Sequence, residues 1–250
     1  RFDDKKNLLI NGKIVKLRGA NRHLVNPLKG FVPEPAVDNL DVELFKEANM
    51  NFVRTSHYPP GIAFVDQCDE QGLYVNLESA VLDCGKANKA SAGMQDDPQY
   101  LHLFVDQQRE VLRNYGSHPS VIMWSMCNES VFGPNFAATA DFVRETDPSR
   151  ALTASYQVKD DPDHKSYDIK SWHYPNWDQN YEKTGMPYMY DEWMHVLGHH
   201  AELWIHDANS RDYWGRSLDK AWTSLFSSNG SIGAAIWNYC DDMTILPDAT

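Results

Sequence analysis

The sequence has few of the features that mark several large classes of protein. Its four cysteines among 250 residues, Cys68, Cys84, Cys127 and Cys240, show no Cys-x-x-Cys spacing. This excludes a dense disulfide framework and predicts buried packing residues. No apolar run approaches the roughly 18 residues of a membrane span, and the amino terminus has no apolar signal core. The sequence therefore predicts a soluble chain without a targeting segment, and its compartment stays undecided.

Positive charge is also scarce. The chain has 23 Lys and Arg against 35 Asp and Glu, a formal net charge of -12, and the basic residues are scattered. A nucleic-acid groove or a site for an anionic membrane would need a basic patch, so neither partner is expected. With 42% hydrophobic residues, the chain can form one core of the size of a single α/β barrel, and two small domains are the alternative.

Aromatic residues, in contrast, are abundant. They make up 12% of the chain and include eight Trp. Their flat apolar faces with a polar edge suit the apolar face and hydroxyl rim of a sugar ring. Ordinary core aromatics are the alternative.

Eight apolar segments alternate with helical or loop segments, and a polar cluster follows most of them. The predicted strands cover residues 15–20, 52–58, 73–78, 121–127, 151–156, 168–174, 188–193 and 232–238. This alternation predicts a (β/α)8 TIM barrel. An open doubly wound sheet is the alternative, but the first strand lacks the glycine-rich phosphate motif of that fold.

The remaining predicted elements surround these strands. Asn11-Gly12 between two apolar runs predicts a β-hairpin within residues 1–15, which would act as a lid or an entry hairpin. Asp38 is predicted to open a helix that presents Leu40, Leu44, Phe45 and Ala48. Further helices are predicted over residues 62–71, 98–115, 135–146 and 213–227, and a long loop over 83–97.

A closed barrel would bring the carboxyl ends of its strands together, where such barrels carry their chemistry. The residues at these ends are Asn21, Arg22, His23, Arg54, His57, Glu78, Asn128, Glu129, His173, Tyr174, Glu192 and Trp237.

Two glutamates stand out in this set. Glu129 ends a buried strand, where desolvation favours a protonated general acid, although it could instead cap the following helix. Together with Glu192 it forms the pair of carboxyl groups that a retaining glycosidase needs. Arg54 would keep the nucleophile ionised, Tyr174 would donate a hydrogen bond to it, and Asn128 would hold the sugar hydroxyl next to the anomeric carbon.

Six ordered segments make a family resemblance specific. They read LLINGK at 8–13, RGANRH at 18–23, VRTSHYP at 53–59, DEQGLYV at 69–75, HPSVIMWS at 118–125 and NES at 128–130. Together they resemble the catalytic barrel of glycoside hydrolase family 2 over nearly the whole chain. The β-galactosidase branch is the most similar, through Asn21-Arg22-His23 and the segment DEWMH at 191–195.

The resemblance implies a retaining exo-acting β-glycosidase, most simply a β-galactosidase acting on galactose units of a glycan. β-Glucuronidase and β-mannosidase are alternatives within the family, and a non-catalytic carbohydrate-binding barrel is the alternative from another class. Glu129 would be the acid/base and Glu192 the nucleophile. The surrounding residues implied are Asn128, Arg54, His23, His57, Tyr174, His195 and Trp237, and Glu78 is either a direct participant or only a buried partner of Arg54.

The sequence departs from the family pattern in three respects. Leu82 and Cys84 stand where metal-binding relatives have an acidic residue and a His, so no magnesium or other cofactor is expected. Asp191 precedes Glu192 and is a rival nucleophile, but strand alternation predicts that only one of the two points into the barrel. The β-sandwich domains that precede the barrel in relatives are missing, so residues 1–250 are expected to be one catalytic barrel from a longer protein.

Two polar clusters lie outside this scheme. His195 with His199 and His200 has a spacing compatible with zinc, but no third ligand with fixed spacing stands out, and no metal site is predicted. Asp241-Asp242 follows Trp237 and would either touch substrate or start a loop, and the loop is the favoured interpretation.

Overall fold

The computed structural model describes residues 1–26, 29–85, 93–155, 165–176, 185–195 and 208–240, without the side chains of 210 and 211. The chain begins with the predicted hairpin, whose two short antiparallel strands are β1 (Leu9–Ile10) and β2 (Lys13–Ile14). Asn11 and Gly12 form its turn with φ angles of 50° and 76°. The hairpin prediction is therefore confirmed.

Eight parallel strands form the centre of the molecule. They are β3 (Leu17–Arg22), β4 (Phe52–Thr55), β5 (Tyr74–Glu78), β6 (Val121–Asn128), β7 (Ala151–Ser155), β8 (Lys170–His173), β9 (Tyr188–Trp193) and β10 (Ser231–Ile236). From β3 to β7 and from β8 to β10 each strand pairs with the next along the chain, and β10 pairs with β3. A parallel bridge between Thr153 and Ile169 joins β7 to β8 and completes the circle. The predicted TIM barrel is confirmed.

Helices cover the outside of the barrel. The described helices are α1 (Pro35–Glu47), α2 (Ile62–Gln71), α3 (Leu101–Tyr115) after a 3₁₀ turn at Pro98–Tyr100, α4 (Pro134–Thr146) and α5 (Ala208–Ser227). The last of these begins five residues before its predicted start at Tyr213. Within the predicted loop 83–97, the described residues contain neither helix nor strand, and 86–92 lie outside the described residues. No helix in these described ranges is long and apolar enough to span a bilayer.

Helix α1 differs from its prediction in both start and orientation. It begins at Pro35, and its buried residues are Asp38, Val42 and Phe45, whereas Leu40 and Leu44 are exposed. The reason is an ion pair, because Asp38 reaches Arg22 at the end of β3 with a separation of 2.7 Å. Of the predicted face only Phe45 is buried, because a buried carboxylate, and not the leucines, turns the helix toward the barrel.

The amino-terminal half of the barrel interior is filled with apolar side chains. This apolar floor consists of Leu17, Phe52, Met123, Ile169 and Met189, with Leu8 from the segment before the hairpin packed against it. Because Leu8 and the hairpin residue Ile10 contact the floor, the hairpin closes the amino end of the barrel and is not a lid over the strand ends.

A glycine allows close packing at the same level. Gly233 has a φ of 140°, and an added Cβ would lie 2.1 Å from the Leu17 carbonyl oxygen. Only glycine tolerates both this backbone conformation and this approach. It therefore allows β10 to pair with β3 and close the barrel.

The cysteines follow their prediction with one exception. Cys68, Cys84 and Cys127 are buried, whereas Cys240 is exposed, and none of the four is in a disulfide. Cys240 lies beyond the last strand, where the packing that buries the other three does not reach it.

Candidate active site

The centre of the polar half of the barrel is Arg54, near the end of β4. Its side chain is fully buried, and its Nε and Nη2 donate to the two carboxylate oxygens of Glu78 at 2.9 and 2.7 Å. Nη1 donates to Glu192 at 2.7 Å. Burial alone would lower the pKa of Arg54, but the charges of Glu78, Glu192 and Asp191 outweigh it and raise that pKa. The guanidinium therefore stays charged and joins two carboxylates from opposite sides of the mouth.

Glu78 is a partner of Arg54 that substrate cannot reach. It is fully buried, and besides Arg54 it contacts the Ser125 hydroxyl at 2.8 Å and the His57 ring at 3.1 Å. Burial acts to raise the pKa of Glu78, but the charge of Arg54 and the hydrogen bonds of His57 and Arg54 leave it lowered. Of the two predicted roles for Glu78, the structure supports the buried partner.

Glu192 is held by two donors at once. Its Oε1 accepts from Arg54, and its Oε2 accepts from the Tyr174 hydroxyl at 2.8 Å. Burial, followed by the charge of Glu192, raises the pKa of Tyr174, so this hydroxyl remains a donor. Tyr174 directly follows β8 with a φ of 45°, which swings its ring over the barrel mouth. The predicted contacts of Glu192 with both residues are present.

Glu129 approaches from the end of β6, three strands away from β9 around the barrel. It follows β6 with a φ of 42°, and its carboxylate contacts Nδ1 of His173 at 2.8 Å. Its side chain is 18% exposed against 5% for Glu192, so both are reachable from the mouth. Helix α4 begins only at Pro134 after Gly133, which removes the interpretation of Glu129 as a helix cap. The preceding residue, Asn128, accepts a hydrogen bond from Arg54 at 2.9 Å and so faces the same space.

The two glutamates are close neighbours. A carboxylate oxygen of Glu129, a carboxylate oxygen of Glu192 and a ring nitrogen of His173 all lie within 4.8 Å of one another. Attack by an enzyme carboxylate needs a carboxyl separation of about 5 to 5.5 Å, whereas attack by water needs roughly 6.5 Å or more. The proximity of one oxygen from each glutamate places the two carboxyl groups side by side at the mouth.

An aromatic wall borders the mouth on the side of β3 and β10. The rings of His57 and Trp237 stack at 5.1 Å with an interplanar angle of 14°, and His23 meets both edge-on at 5.3 and 5.2 Å. On the other side, His195 lies 6.1 Å from the ring of Tyr174. All of these predicted residues are therefore brought to the mouth, and they offer apolar ring faces beside the charged centre.

Three residues in this centre were absent from the predicted site. Asn21 accepts from Arg54 at 3.0 Å and donates to the backbone carbonyl of Asp191 at 2.7 Å. His173 contacts Glu129, and Asp191 contacts His173. Asn21 and His173 did appear among the strand ends, so their positions in the sequence were the available signal. Arg22, from the same list, points to the outside of the barrel and pairs with helix α1.

Asp191 contradicts the expectation from strand alternation. Its carboxylate accepts from the Ser171 hydroxyl and lies 3.4 Å from Nε2 of His173, so it points into the barrel, as Glu192 does. The pairing of β9 skips a residue here, since Tyr190 pairs with Trp172 and Glu192 pairs with His173. This β-bulge at Asp191 places two consecutive side chains on the inner face. Asp191 is fully buried, whereas Glu192 is reachable from the mouth. Access from the mouth, and not the alternation of side chains along the strand, therefore distinguishes the two residues.

Comparison with known proteins identifies the barrel. Residues 3–248 match the family model described as glycosyl hydrolases family 2, TIM barrel domain. The chain belongs to glycoside hydrolase family 2. A β-galactosidase from Lactococcus lactis subsp. lactis is 32% identical over 244 residues, which are 95% of this chain and 24% of that protein. A β-galactosidase from an Arthrobacter species is 39% identical over 145 residues, 58% of this chain and 14% of that protein.

Solved structures of family 2 proteins share the fold. A β-galacturonidase from Eisenbergiella tayi superposes with a TM-score of 0.76 at 24% identity, over 96% of this chain and 46% of that one. For a β-glucuronidase from Ruminococcus gnavus, the TM-score is 0.80 at 20% identity, over 99% and 48%. The family 2 barrel described here spans about a quarter of the length of the curated relatives. That it belongs to a longer protein with β-sandwich domains stays a prediction.

The residues beside Glu129 do not fit the magnesium site of metal-binding family members. Leu82 pairs with Asn128 through a backbone bridge and carries an apolar side chain. Burial raises the pKa of the Cys84 thiol, which keeps it in the form that does not bind metal. The carboxylate of Glu78 is already hydrogen-bonded to Arg54 and His57.

Two other groups of potential ligands occur among the described residues. One is Glu129, His173 and Glu192, and the other is Asp66, Asp69 and His118 on the outside of the barrel. In each, a histidine nitrogen contacts a carboxylate oxygen directly, at 2.8 and 2.6 Å. Each group is thus a hydrogen-bonded pair of a histidine and an acid with a second carboxylate beside it. His199, His200, Asp241 and Asp242 lie outside the described residues.

Proposed function

We propose that this barrel is a retaining β-glycosidase that acts on β-galactosides, with Glu192 as nucleophile and Glu129 as acid/base. The observation that carries the proposal is the proximity of the two carboxylates, whose oxygens lie within 4.8 Å. Two carboxyl groups at this distance on opposite sides of a glycosidic bond support a double displacement. The similarity to curated β-galactosidases supports the choice of sugar.

The first step is attack on the anomeric carbon. Arg54 and Tyr174 stabilise negative charge on Glu192 and fix the direction of its oxygens. As Glu192 forms its bond to the sugar, Glu129 passes a proton to the departing glycosidic oxygen. The products of this step are the free aglycone and a covalent glycosyl-enzyme ester on Glu192.

In the second step, Glu129 acts as a base instead of an acid. Glu129, now a carboxylate, removes a proton from water, and the resulting nucleophile attacks the anomeric carbon and releases Glu192. Asn128 lies between Glu129 and Arg54, in the right place to hold the sugar hydroxyl next to the reacting carbon. Two successive inversions at one carbon give a product that retains the β-configuration.

The charge of the mouth favours a neutral sugar over a uronic acid. In the described part of the chain, the cation at the centre is Arg54, and it is already committed to Glu78 and Glu192. A sugar carboxylate would enter beside the acidic groups Glu129 and Glu192, which repel it.

A panel of 4-nitrophenyl β-glycosides tests the substrate. We expect the galactoside to give the highest kcat/KM, above the glucoside, mannoside, glucuronide and galacturonide, and the β-anomer to appear first by NMR. Preference for a glucuronide or galacturonide would overturn the choice of sugar, and an initial α-anomer would overturn the retaining mechanism.

Variants of the two glutamates test the roles. Glu192→Ala should lose on the order of 10⁴-fold or more in kcat with every substrate, because no ester can form. Glu129→Ala should keep much of its kcat/KM with an activated aryl glycoside but lose kcat, because only the second step lacks its base. Azide needs no base, so it should restore that kcat and yield a β-glycosyl azide. Glu145→Ala, an exposed glutamate on α4, is the control and should behave as wild type.

The stereochemistry of the azide product decides the assignment. A β-azide from Glu192→Ala together with an α-azide from Glu129→Ala would mean that the two roles are reversed. Labelling with a 2-deoxy-2-fluoro β-galactoside and peptide mass analysis should place the sugar on Glu192, and a label on Asp191 would show that the rival residue is the nucleophile.

A further inference from the structure

His173 lies where three carboxylates converge. Its Nδ1 is 2.8 Å from Glu129 and 3.3 Å from Glu192, and its Nε2 is 3.4 Å from Asp191. The Ser155 hydroxyl lies 2.8 Å from the same Nε2. With a side-chain exposure of 2%, the imidazole has little access to water. These four groups therefore face its two ring nitrogens directly.

Asp191 has no part in the two chemical steps, yet it is a fully buried acid. Its side chain contacts the Ser171 hydroxyl and the His173 ring, and His173 is the only ionisable side chain that it touches among the described residues. Burial alone would raise the pKa of Asp191, but the hydrogen bond and charge of His173, aided by Arg54, leave it lowered. Burying a charge costs free energy unless the charge is paired. The contact between Asp191 and His173 therefore calls for a functional explanation.

The position of Asp191 selects where the imidazole carries its proton. If Nε2 bears hydrogen, it faces the negative oxygen of Asp191 favourably, whereas a lone pair on Nε2 would face the same charge unfavourably. Ser155 accommodates either form, because a hydroxyl both donates and accepts. Asp191 therefore favours a proton on Nε2.

A proton on Nε2 has a consequence on the other side of the ring. The 2.8 Å contact between Nδ1 and Glu129 is then a hydrogen bond only if one further proton lies between these two atoms. That proton is either on Glu129, facing neutral His173, or on Nδ1, facing the Glu129 carboxylate. In both forms the pair holds one proton that is available for transfer.

We propose that Asp191 is a positioning residue that acts through His173 to keep one proton on the Glu129–His173 pair. The inference rests on the proposed function, in which Glu129 must be protonated before the first step. In that step the proton leaves the pair for the glycosidic oxygen, while Glu192 forms its bond to carbon. Glu129 then faces the Nδ1 lone pair, which favours recovery of a proton from water in the second step.

The pH profile of kcat/KM tests the proposal. Asp191→Asn keeps the size of the side chain but removes its charge, so the basic limb, which reports loss of the acid proton, should move down by about one pH unit. On the basic side, an alkyl β-galactoside, which needs protonation, should lose about tenfold, and a 2,4-dinitrophenyl galactoside less than about threefold. An unshifted basic limb would overturn the proposal, and so would equal losses with both substrates.

A double-variant cycle shows whether the effect passes through His173. In a His173→Gln background, Asp191→Asn should produce no further shift of the basic limb. A shift that persists in the His173→Gln background would mean that Asp191 acts on Glu129 directly through space and not through His173. The matched control is Asp69→Asn, which removes a similar contact between Asp69 and His118, 2.6 Å apart on the outside of the barrel, and should leave the profile unchanged.

An observation that needs no turnover separates this inference from the proposed function. ¹⁵N NMR of the imidazole should show Nε2 protonated in the wild type and a population with a bare Nε2 in Asp191→Asn. Absence of hydrolysis with every glycoside would overturn the proposed glycosidase function. An unprotonated Nε2 in the wild type would instead overturn the role of Asp191 in keeping a proton on the Glu129–His173 pair. Should Asp191→Asn not fold, the wild-type ¹⁵N spectrum alone decides, because a bare Nε2 there would overturn the proposal without any variant.

Discussion

Two buried arginines at the ends of neighbouring strands serve different parts of the molecule. Arg22, on β3, contacts Asp38 and Asp41 of helix α1 at 2.7 and 2.6 Å, and its guanidinium lies 4.1 Å from the ring of Phe64. Arg54, on β4, contacts Glu78 and Glu192 inside the barrel. Each arginine therefore contacts two carboxylates. The contacts of Arg22 hold helix α1 against the barrel, whereas those of Arg54 position the side chains at the mouth.

The face of the strand makes this difference. Asn21 points into the barrel and contacts Arg54, so its neighbour Arg22 must point out toward the helices. Composition and burial are nearly the same at the two sites, and a count of buried ion pairs would treat them alike. Only the inner arginine has a partner, Glu192, that is reachable from the mouth.

Among the changes that test this comparison of the two arginines, Arg54→Lys should have the largest effect. An ammonium group cannot reach both oxygens of Glu78 and also Glu192, because it lacks the planar fork of the guanidinium. We expect kcat/KM to fall roughly 10²- to 10³-fold, similar to the loss of a positioned donor in other active sites. Steady-state kinetics with an aryl galactoside measures this. A loss below about fivefold would mean that Arg54 is no more functional than Arg22.

Arg22→Met should affect stability instead of catalysis. Removing one partner from a buried pair leaves a charge without compensation, which costs about 3 to 5 kcal/mol in the free energy of unfolding. Because Arg22 lies outside the barrel, kcat/KM per folded molecule should stay within about threefold of wild type. Denaturant titration combined with kinetics gives both values. A fall in kcat/KM comparable to that of Arg54→Lys would erase the contrast between the two sites.

The smallest expected effect concerns how the free energy of unfolding depends on pH, which should differ between the acidic partners Glu78 and Asp38. The pKa of Glu78 is lowered, so it contributes stability above the pKa of the unfolded chain, and this contribution is lost as the pH falls through the folded pKa. Burial raises the pKa of Asp38 more than Arg22 lowers it, so folded Asp38 binds protons more readily and its contribution grows as the pH falls.

Replacing Glu78 and replacing Asp38 should therefore change the pH dependence of the free energy of unfolding in opposite directions. Between pH 7 and pH 4, Glu78→Gln should lose less stability than wild type, and Asp38→Asn should lose more. Urea unfolding at several pH values measures both slopes. Equal slopes for the two variants would contradict the assignment.

Much of the site was predictable because barrel closure is a general rule that acts on local sequence. Glu129, Glu192 and Arg54 each lie at or next to the carboxyl end of a buried apolar strand, and closure alone brings these ends together. The hairpin turn at Asn11 and Gly12 was predictable for the same reason, since two residues determine it.

The errors arose where distant parts of the chain decide the outcome. The bulge at Asp191 depends on how β9 pairs with its neighbours, and no local pattern reports that register. The orientation of α1 depends on an ion pair between Asp38 and Arg22. The choice between the two alternatives for the hairpin, a lid or an entry hairpin, likewise depends on the packing of Leu8 on the floor of the barrel, which a periodicity of apolar residues does not specify.

The apolar floor makes the barrel a cup with a single opening. Since Leu17, Phe52, Met123 and their neighbours fill the amino end, a ligand at the mouth cannot pass through the barrel. In the proposed reaction, the aglycone must leave by the route through which water then arrives, so departure and hydrolysis follow one another in a fixed order. Any acceptor alcohol that takes the place of the aglycone competes with water for the same glycosyl-enzyme, and the architecture of the floor thereby links hydrolysis to transglycosylation.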